Sequence, residues 1–271
     1  MTQQYERRFS GIKRLYGSHA LNKFNNSHFC VIGIGGVGSW VAESLTRTGI
    51  GKLTLIDMDD ICTTNTNRQV HTNSKTIGMQ KVNAMAERCR LINPEIEIVV
   101  IDDFINKQKC FDYLSDDMDY IFDAIDTIHD KVALIAHCKR NKYPLLTSGG
   151  AGGQIDPTQI QVTDLARTIH DPLASRARQE LRRHYNFTKN PKRKFRIDCV
   201  FSTEQVRYPE IDGKAQKDTK KVVIDSEIEN PKAFGASSIV TASFAFIGVS
   251  FMLKKMLSKE KTASLISNES A

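Results

Sequence analysis

Val31-Ile32-Gly33-Ile34-Gly35-Gly36-Val37-Gly38-Ser39-Trp40 is the stretch on which the fold turns. An apolar strand from Phe29 to Ile32 enters four closely spaced glycines, and Trp40 to Thr48 then reads as a helix. Glycines let a backbone turn tightly and approach a phosphate, which would rest at the helix N-terminus. Lys52-Leu53-Thr54-Leu55-Ile56-Asp57 follows as a second strand, giving a β-α-β unit closed by an acid placed for a ribose hydroxyl. Asp57 lies 19 residues beyond Gly38, an offset that also suits an ordinary NAD-binding dehydrogenase. The glycines therefore establish a nucleotide site and leave the nucleotide open.

The next residues narrow it. Met58-Asp59-Asp60 is followed by Asn65-Thr66-Asn67-Arg68-Gln69, then by Gly78-Met79-Gln80-Lys81 at the head of a helical pattern. Tyr120-Ile121-Phe122-Asp123-Ala124-Ile125-Asp126-Thr127 reads as a strand delivering two carboxylates to its C-terminal end. A nicotinamide site has little use for an added Arg, Lys and Asp. A site that cleaves ATP between its α- and β-phosphates does: cations neutralise the pyrophosphate leaving group, and a carboxylate holds a bridging Mg²⁺. Arg68 and Lys81 suit the cationic role, and Asp126 suits the metal.

With these motifs the chain resembles the adenylating proteins related to ubiquitin-activating enzymes, which include bacterial activators of sulfur-carrier proteins. The match rests on Gly33-x-Gly35-Gly36-x-Gly38, Asp57 with Asp59, Asn65-x-x-Arg68-Gln69, Lys81 and Asp126, over roughly residues 8 to 150. The resemblance implies an ATP site formed by these residues with Thr127. Asp57 would hold the ribose, Asn65, Arg68 and Lys81 would face the phosphates, and Asp126 would organise Mg²⁺; Arg68, Lys81 and Asp126 form the catalytic group. The family's Arg-aromatic-x-Arg segment, whose second Arg enters the partner subunit, is matched at Arg8 and Phe9, but Gly11 stands at the second position. Arg14 is the nearby substitute, and a plain surface helix is the other reading.

The second half departs from sulfur-carrier activation. Six cysteines (Cys30, Cys62, Cys89, Cys110, Cys138, Cys199) form no Cys-x-x-Cys pair of the kind that holds structural zinc. Their irregular spacing, with no signal peptide, predicts reduced thiols in a cytoplasmic protein. Cys199, in Asp198-Cys199-Val200-Phe201-Ser202, reads as a small core residue on a buried strand rather than a thioester nucleophile. Asp171-Pro172 opens a helix with an N-cap and a first-turn proline. Residues 176–196 then carry nine Arg or Lys against Glu180 alone, a charge of +8 where the whole chain carries +7. Positive charge is thus concentrated in one segment. Arg176, Arg178, Arg182, Arg183, Lys192, Arg193 and Lys194, interleaved with Tyr185, Phe187 and Phe195, suit contact with tRNA phosphates. A solvated helix face is the competing reading, and Phe195 could equally be core.

These features refine the resemblance. Arg14-Leu15-Tyr16-Gly17, Gly35 to Trp40, Thr48 to Gly51, Asn65 to Gln69, Gly149 to Leu165 and Asp198 to Glu204 are similar to the family of tRNA threonylcarbamoyladenosine dehydratases, to about Lys255. That likeness implies ATP-dependent cyclisation of a threonylcarbamoyl group beside the anticodon, a homodimer, and possible dealings with a cysteine desulfurase. Some relatives carry a cysteine shortly before Phe234-Gly235-Ala236, where this chain reads Glu229-Asn230-Pro231-Lys232. The rival functions are activation of a ubiquitin-like sulfur carrier and a non-catalytic desulfurase scaffold.

Alternating segments predict an α/β fold with a Rossmann-like, mostly parallel sheet covered by helices on both faces. The expected order is helix 10–25, strand 29–33, helix 38–48, strand 52–57, helix 75–92, strand 96–102, helix 106–115, strand 119–123, helix 127–141 and strand 144–148, followed by further strands and a basic crossover. One adenylating domain is expected over 1–257, with nucleotide binding in 26–150, tRNA binding in 151–257 and a flexible tail over 258–271. Ala233 to Leu253 carries no charge for 21 residues, long enough to span a bilayer. Its hydroxyls and small residues (Gly235, Ala236, Ala242, Ala245, Gly248) favour a helix packed in the core; membrane association is the alternative.

Overall fold

Strand and helix alternate along the chain as the sequence pattern predicts. The computed structural model describes residues 1–208, 210–211, 214–215 and 234–269, with side chains placed up to 208 and over 234–258. Three short helices, α1 (Gln3–Arg8), α2 (Ser10–Tyr16) and α3 (Ser18–Asn25), precede β1 (His28–Ile32), α4 (Gly38–Thr48) and β2 (Lys52–Ile56). Next come α5 (Lys81–Ile92), β3 (Glu97–Ile101), α6 (Lys109–Tyr113), β4 (Tyr120–Asp123), α7 (Ile128–Asn141) and β5 (Leu145–Ser148). The remainder supplies β6 (Ile160–Asp164), α8 (Pro172–His184), β7 (Asp198–Ser202), a two-residue ribbon of β8 (Glu210–Ile211) with β9 (Lys214–Ala215), and α9 (Ser238–Glu269).

The main sheet runs β3-β2-β1-β4-β5-β7-β6. All its pairings are parallel except β6 against β7 at the edge. Alternate strand residues feed two apolar layers. Phe29, Val31, Tyr120 and Phe122 join α4, α5 and α9 on one face; Cys30, Ile32 and Ile121 join α6, α7 and α8 on the other. Strand order reverses between β1 and β4, and a ligand crevice belongs outside the carboxyl ends of the strands at such a point.

The apolar run near the C-terminus is a core helix from Ser238 onward. Val240, Phe244, Ala245, Val249 and Met252 of α9 are buried in the first layer. A Cβ at Gly248 would lie 2.7 Å from the Phe122 ring, so a small residue there lets helix and sheet approach closely. By length and composition Ser238–Ser258 could also cross a membrane, but the packed face accounts for its apolarity. Ala233, at the head of the run, lies outside the described residues, as does Glu229–Lys232.

Several boundaries differ from expectation. The single helix expected over 10–25 is two helices broken at Gly17, whose φ is 91°, and a third, from Gln3, precedes them and ends at Phe9. The helix expected from residue 75 starts at Lys81. Before it, the Gly78 N–H bonds Ile61 O at 2.8 Å and the Lys81 N–H bonds Asp59 O at 3.0 Å. The chain there folds back to serve the β2 loop. Helix α6 is shorter than 106–115. Beyond residue 258, α9 continues to Glu269 where a tail was expected; Lys, Glu and Ala there are good helix formers.

Candidate functional site

The glycine turn sits at the β1–β4 switch point and is built by close backbone contact. Gly33 has φ 85°, a left-handed conformation that favours glycine, and its missing Cβ would lie 2.9 Å from Ala124 O. A Cβ at Gly38 would fall 1.7 Å from Gly33 O. These two glycines let β1, the start of α4 and the chain after β4 meet. Gly35 differs: nothing but the Gln69 side chain comes within 4 Å of its missing Cβ, at 3.8 Å.

Polar contacts fix the turn from below. The Ile34 N–H donates to Asp57 Oδ2 at 2.5 Å, and His71 Nε2 lies 2.8 Å from Ile34 O. Burial lowers the His71 pKa to about 4, so the ring is neutral and donates to that carbonyl. Asp57 Oδ1 accepts from the Asp59 N–H at 2.9 Å. Burial raises the Asp57 pKa, with Lys81 opposing the shift. Lys81, buried at the start of α5, lies 2.6 Å from Asp59 Oδ2 and 3.9 Å from Asp57 Oδ1.

Above these groups opens a cavity of about 520 Å³, the size of a cofactor site. Gly33, Gly35, Gly36, Asp57, Asp59, Asn65, Arg68, Gln69, Lys81, Asp126 and Thr127 all line it. Gly38, expected among them, lies behind the turn instead, buried against Gly33. Asn65 is buried, and its Oδ1 accepts from the Cys62 N–H at 3.0 Å. Arg68 is steered by Thr64 O at 2.8 Å and Asn67 Oδ1 at 3.1 Å. Asp126 and Thr127 are exposed at the rim, between β4 and α7. Among the described residues no three His, Cys, Asp or Glu converge as a metal cage. An exposed carboxylate such as Asp126, one of five Asp side chains on the lining, suits Mg²⁺ that arrives with phosphates and keeps its water.

The sequence reading missed one wall. Asp103, Phe104 and Ile105 line the cavity just past β3. Phe104 is an exposed large apolar residue there, and Lys109 Nζ lies 4.0 Å from its ring centroid. Its signal was available: it follows a parallel strand at the carboxyl edge of the sheet.

The basic segment takes a different form. Asp171 caps α8 through the Ala174 N–H as expected, and Ala174, Ala177 and Leu181 face the core. Arg176, Arg183, Lys192, Arg193 and Lys194 are exposed. Arg178 is half-buried and bonded to Thr168, and Arg182 lies 5.3 Å over the Phe195 ring. The aromatic residues are not displayed for stacking. Phe195 is 3% exposed and sits 5.0 Å from Phe187, while Tyr185 and Phe187 pack against the second layer. Cys199 is fully buried in β7, and burial holds its thiol well above the usual range, as suits a core residue. At the other end, Arg8 donates to Ile92 O at 3.1 Å and Arg14 is exposed.

A model of the ThiF family matches residues 5–267. The chain is 52% identical to tRNA threonylcarbamoyladenosine dehydratase of Escherichia coli strain K12 over 265 residues, 96% of this chain and 97% of that one. It is also 52% identical to the Haemophilus influenzae protein of the same name over 256 residues, 94% of this chain and 95% of that one. Among solved structures it is similar to the E. coli dehydratase in complex with ATP, with a TM-score of 0.86 at 51% identity, covering 96% of this chain and 98% of that one.

Proposed function

The chain belongs to the ThiF family, and on that premise we propose that it is an ATP-dependent tRNA-modifying enzyme that dehydrates threonylcarbamoyladenosine beside the anticodon. The observation that carries the reading is the assembly of Arg68, Lys81 and Asp126 around one cavity, in a chain half identical along nearly its whole length to the E. coli dehydratase. That relative is seen in complex with ATP.

In this mechanism a carboxylate oxygen of the threonyl group attacks the α-phosphorus of ATP. The bond to the β-phosphate oxygen breaks, pyrophosphate leaves, and an acyl-adenylate remains. A nucleophile within the same modified group then attacks the activated carbonyl, closing a ring and releasing AMP. The net change is loss of water, with ATP converted to AMP and pyrophosphate. Because the second nucleophile belongs to the substrate, proximity does the work of an enzyme thiol, and a buried Cys199 is no obstacle. Asp57 orients the ribose while it anchors the turn. Arg68 and Lys81 face the charge that develops on the leaving group. Mg²⁺, held through Asp126, would neutralise phosphate oxygens when bound. The exposed cations of α8 and its loop take the tRNA backbone. A homodimer, in which Arg14 reaches a partner's site, and a cytoplasmic location complete the proposal.

Pyrophosphate release is the test. It should require tRNA carrying threonylcarbamoyladenosine and be absent with unmodified tRNA. Release that follows a small protein ending in Gly-Gly would make the chain a sulfur-carrier activator. No release with either substrate would leave a scaffold, with Arg68 and Asp126 dispensable.

A further inference from the structure

The two carboxylates that β4 delivers do different work. Asp126 is exposed at the cavity rim, whereas Asp123 is fully buried and contributes nothing to the lining. Asp123 Oδ2 lies 2.9 Å from Lys131 Nζ, and that lysine, in the first turn of α7, is 1% exposed. The same carboxylate oxygen accepts from Thr147 Oγ1 of β5 at 2.6 Å. Ile125 is bonded to both members of the pair. Its N–H donates to Asp123 Oδ1 at 3.0 Å, and its carbonyl accepts from Lys131 Nζ at 2.8 Å. One buried ion pair thus holds both polar backbone groups of the residue immediately before Asp126.

Stability alone is a poor reason for this arrangement. Removing both charges from water is costly, and apolar replacements of similar volume often serve as well or better. What the pair does hold is a bend that carries a carboxylate. The Ala124 N–H bonds Ile32 O at 2.8 Å, and the Ala124 carbonyl lies against Gly33, so the bend and the glycine turn share one frame. A displacement there moves Asp126 relative to the phosphates, where about 1 Å can cost a hundredfold in rate.

We infer that Asp123 and Lys131 are positioning residues, which lock Ile125 so that the Asp126 carboxylate faces the metal-bound phosphates of ATP. The inference rests on the role proposed above for Asp126. It extends the chemistry inward from the cavity wall to a pair that touches neither nucleotide nor tRNA.

The test uses the full chain and three readouts: pyrophosphate release on modified tRNA, calorimetric ATP binding with and without Mg²⁺, and thermal unfolding. Lys131→Met alone strands a buried carboxylate, so the informative variant is the paired Asp123→Leu/Lys131→Met. It is expected to unfold cooperatively and to bind ATP normally without Mg²⁺. Its kcat should fall roughly 10–100-fold, as for other residues that orient a metal ligand, with KM for tRNA unchanged. The tightening of ATP binding by Mg²⁺ should disappear. Lys131→Arg, which keeps charge and donor, should retain most of the turnover. A paired variant with normal kcat and a normal Mg²⁺ response overturns the inference. If the paired variant fails to fold, Thr147→Val leaves the charges paired while loosening Asp123, and should lower kcat with the same signature; an unchanged kcat overturns the inference. Asp126→Asn separates the two failures. Full turnover by that variant sinks the reading of Asp126 and with it the pair's purpose. Full turnover by the paired variant beside an inactive Asp126→Asn sinks the pair alone.

Discussion

The nucleotide crevice, with Arg68 and Lys81 among its Asp residues, and the basic segment from Arg176 to Arg196 both contain cations, but they hold them in opposite ways. In the crevice each cation is tied down. Lys81 is 7% exposed and set against Asp59 and Asp57, while Arg68 is steered by Thr64 O and Asn67 Oδ1. In the basic segment Arg176, Lys192, Arg193 and Lys194 stand in solvent, and Arg183, itself exposed, meets Glu180 of its own helix at 3.8 Å. Fixed charges can stabilise one transition state, because their orientation is settled before the reaction begins. Exposed, mobile charges suit a polyanion, where affinity comes from counterion release and no single cation dominates. Substitutions should therefore have large, discrete effects in the first region and small, additive, salt-dependent effects in the second.

The largest effect is expected at Asp126 and Lys81. Asp126→Asn or Lys81→Met should lower the rate of pyrophosphate release by roughly 10³-fold, the decrease typical when one preorganised electrostatic group is removed. Tm should stay near that of the parent for Asp126→Asn, since the carboxylate is exposed. Comparable release rates, measured in single turnover, would dissolve the distinction between the two regions.

A second contrast lies within the turn itself. Gly38→Ala would push a Cβ to 1.7 Å from a backbone oxygen, and should destabilise the protein by about 4 kcal/mol, within the exceptional range for one substitution. Gly35→Ala meets no such neighbour. It should leave the denaturation midpoint nearly unchanged while weakening ATP binding, because its methyl group enters the cavity. Equal destabilisation at both positions would mean that the turn is not divided into a packing side and a ligand side.

Much of this was legible from the chain. The glycine turn, the alternation of strands and helices, the acid after β2 and the small residues of α9 each state a local requirement that tertiary structure then meets. What escaped were features decided by distant partners. Residues 75–80 carry helix-compatible composition, yet their backbone is used to hold Ile61 through Gly78 and Met79. Phe195 looks the same to a sequence reader whether it stacks on a base or fills a core, and here it fills the core. Lys131 carries a partial signal, since it begins a buried helix face with Val132, Leu134, Ile135 and Cys138. A charge in that setting needs a partner, but sequence does not say which.

One member of the locked region titrates in a useful range. His71 holds the turn as a neutral donor, with a pKa lowered from 6.5 to about 4 by burial and, to a lesser degree, by Lys81 and Arg88. The unfolded chain therefore takes up the proton first. Stability from this residue is fully present above about pH 6.5 and is lost as pH falls towards 4, by roughly 3 kcal/mol in all. His71→Gln should flatten that slope in denaturation midpoints measured across the interval. An identical slope in the variant would show that other groups cause any acid sensitivity, and that the turn is not pinned through this ring.

The smallest effects belong to the exposed segment, and their form matters more than their size. Arg183→Glu and Lys192→Glu should each weaken tRNA binding a few-fold at moderate salt and leave ATP binding untouched. The slope of log affinity against log salt should shrink by about 0.7–0.9 for each phosphate that the variant no longer neutralises. Arg182 offers the internal control. Its guanidinium lies over Phe195 and its Nε donates to Thr188 O at 3.4 Å, so Arg182→Glu should lower Tm as well as affinity. If Arg182 and Lys192 behave alike in both measurements, the division between packed and displayed cations fails. If only the salt slope responds at Lys192, the segment is a phosphate-binding surface whose cations act one by one.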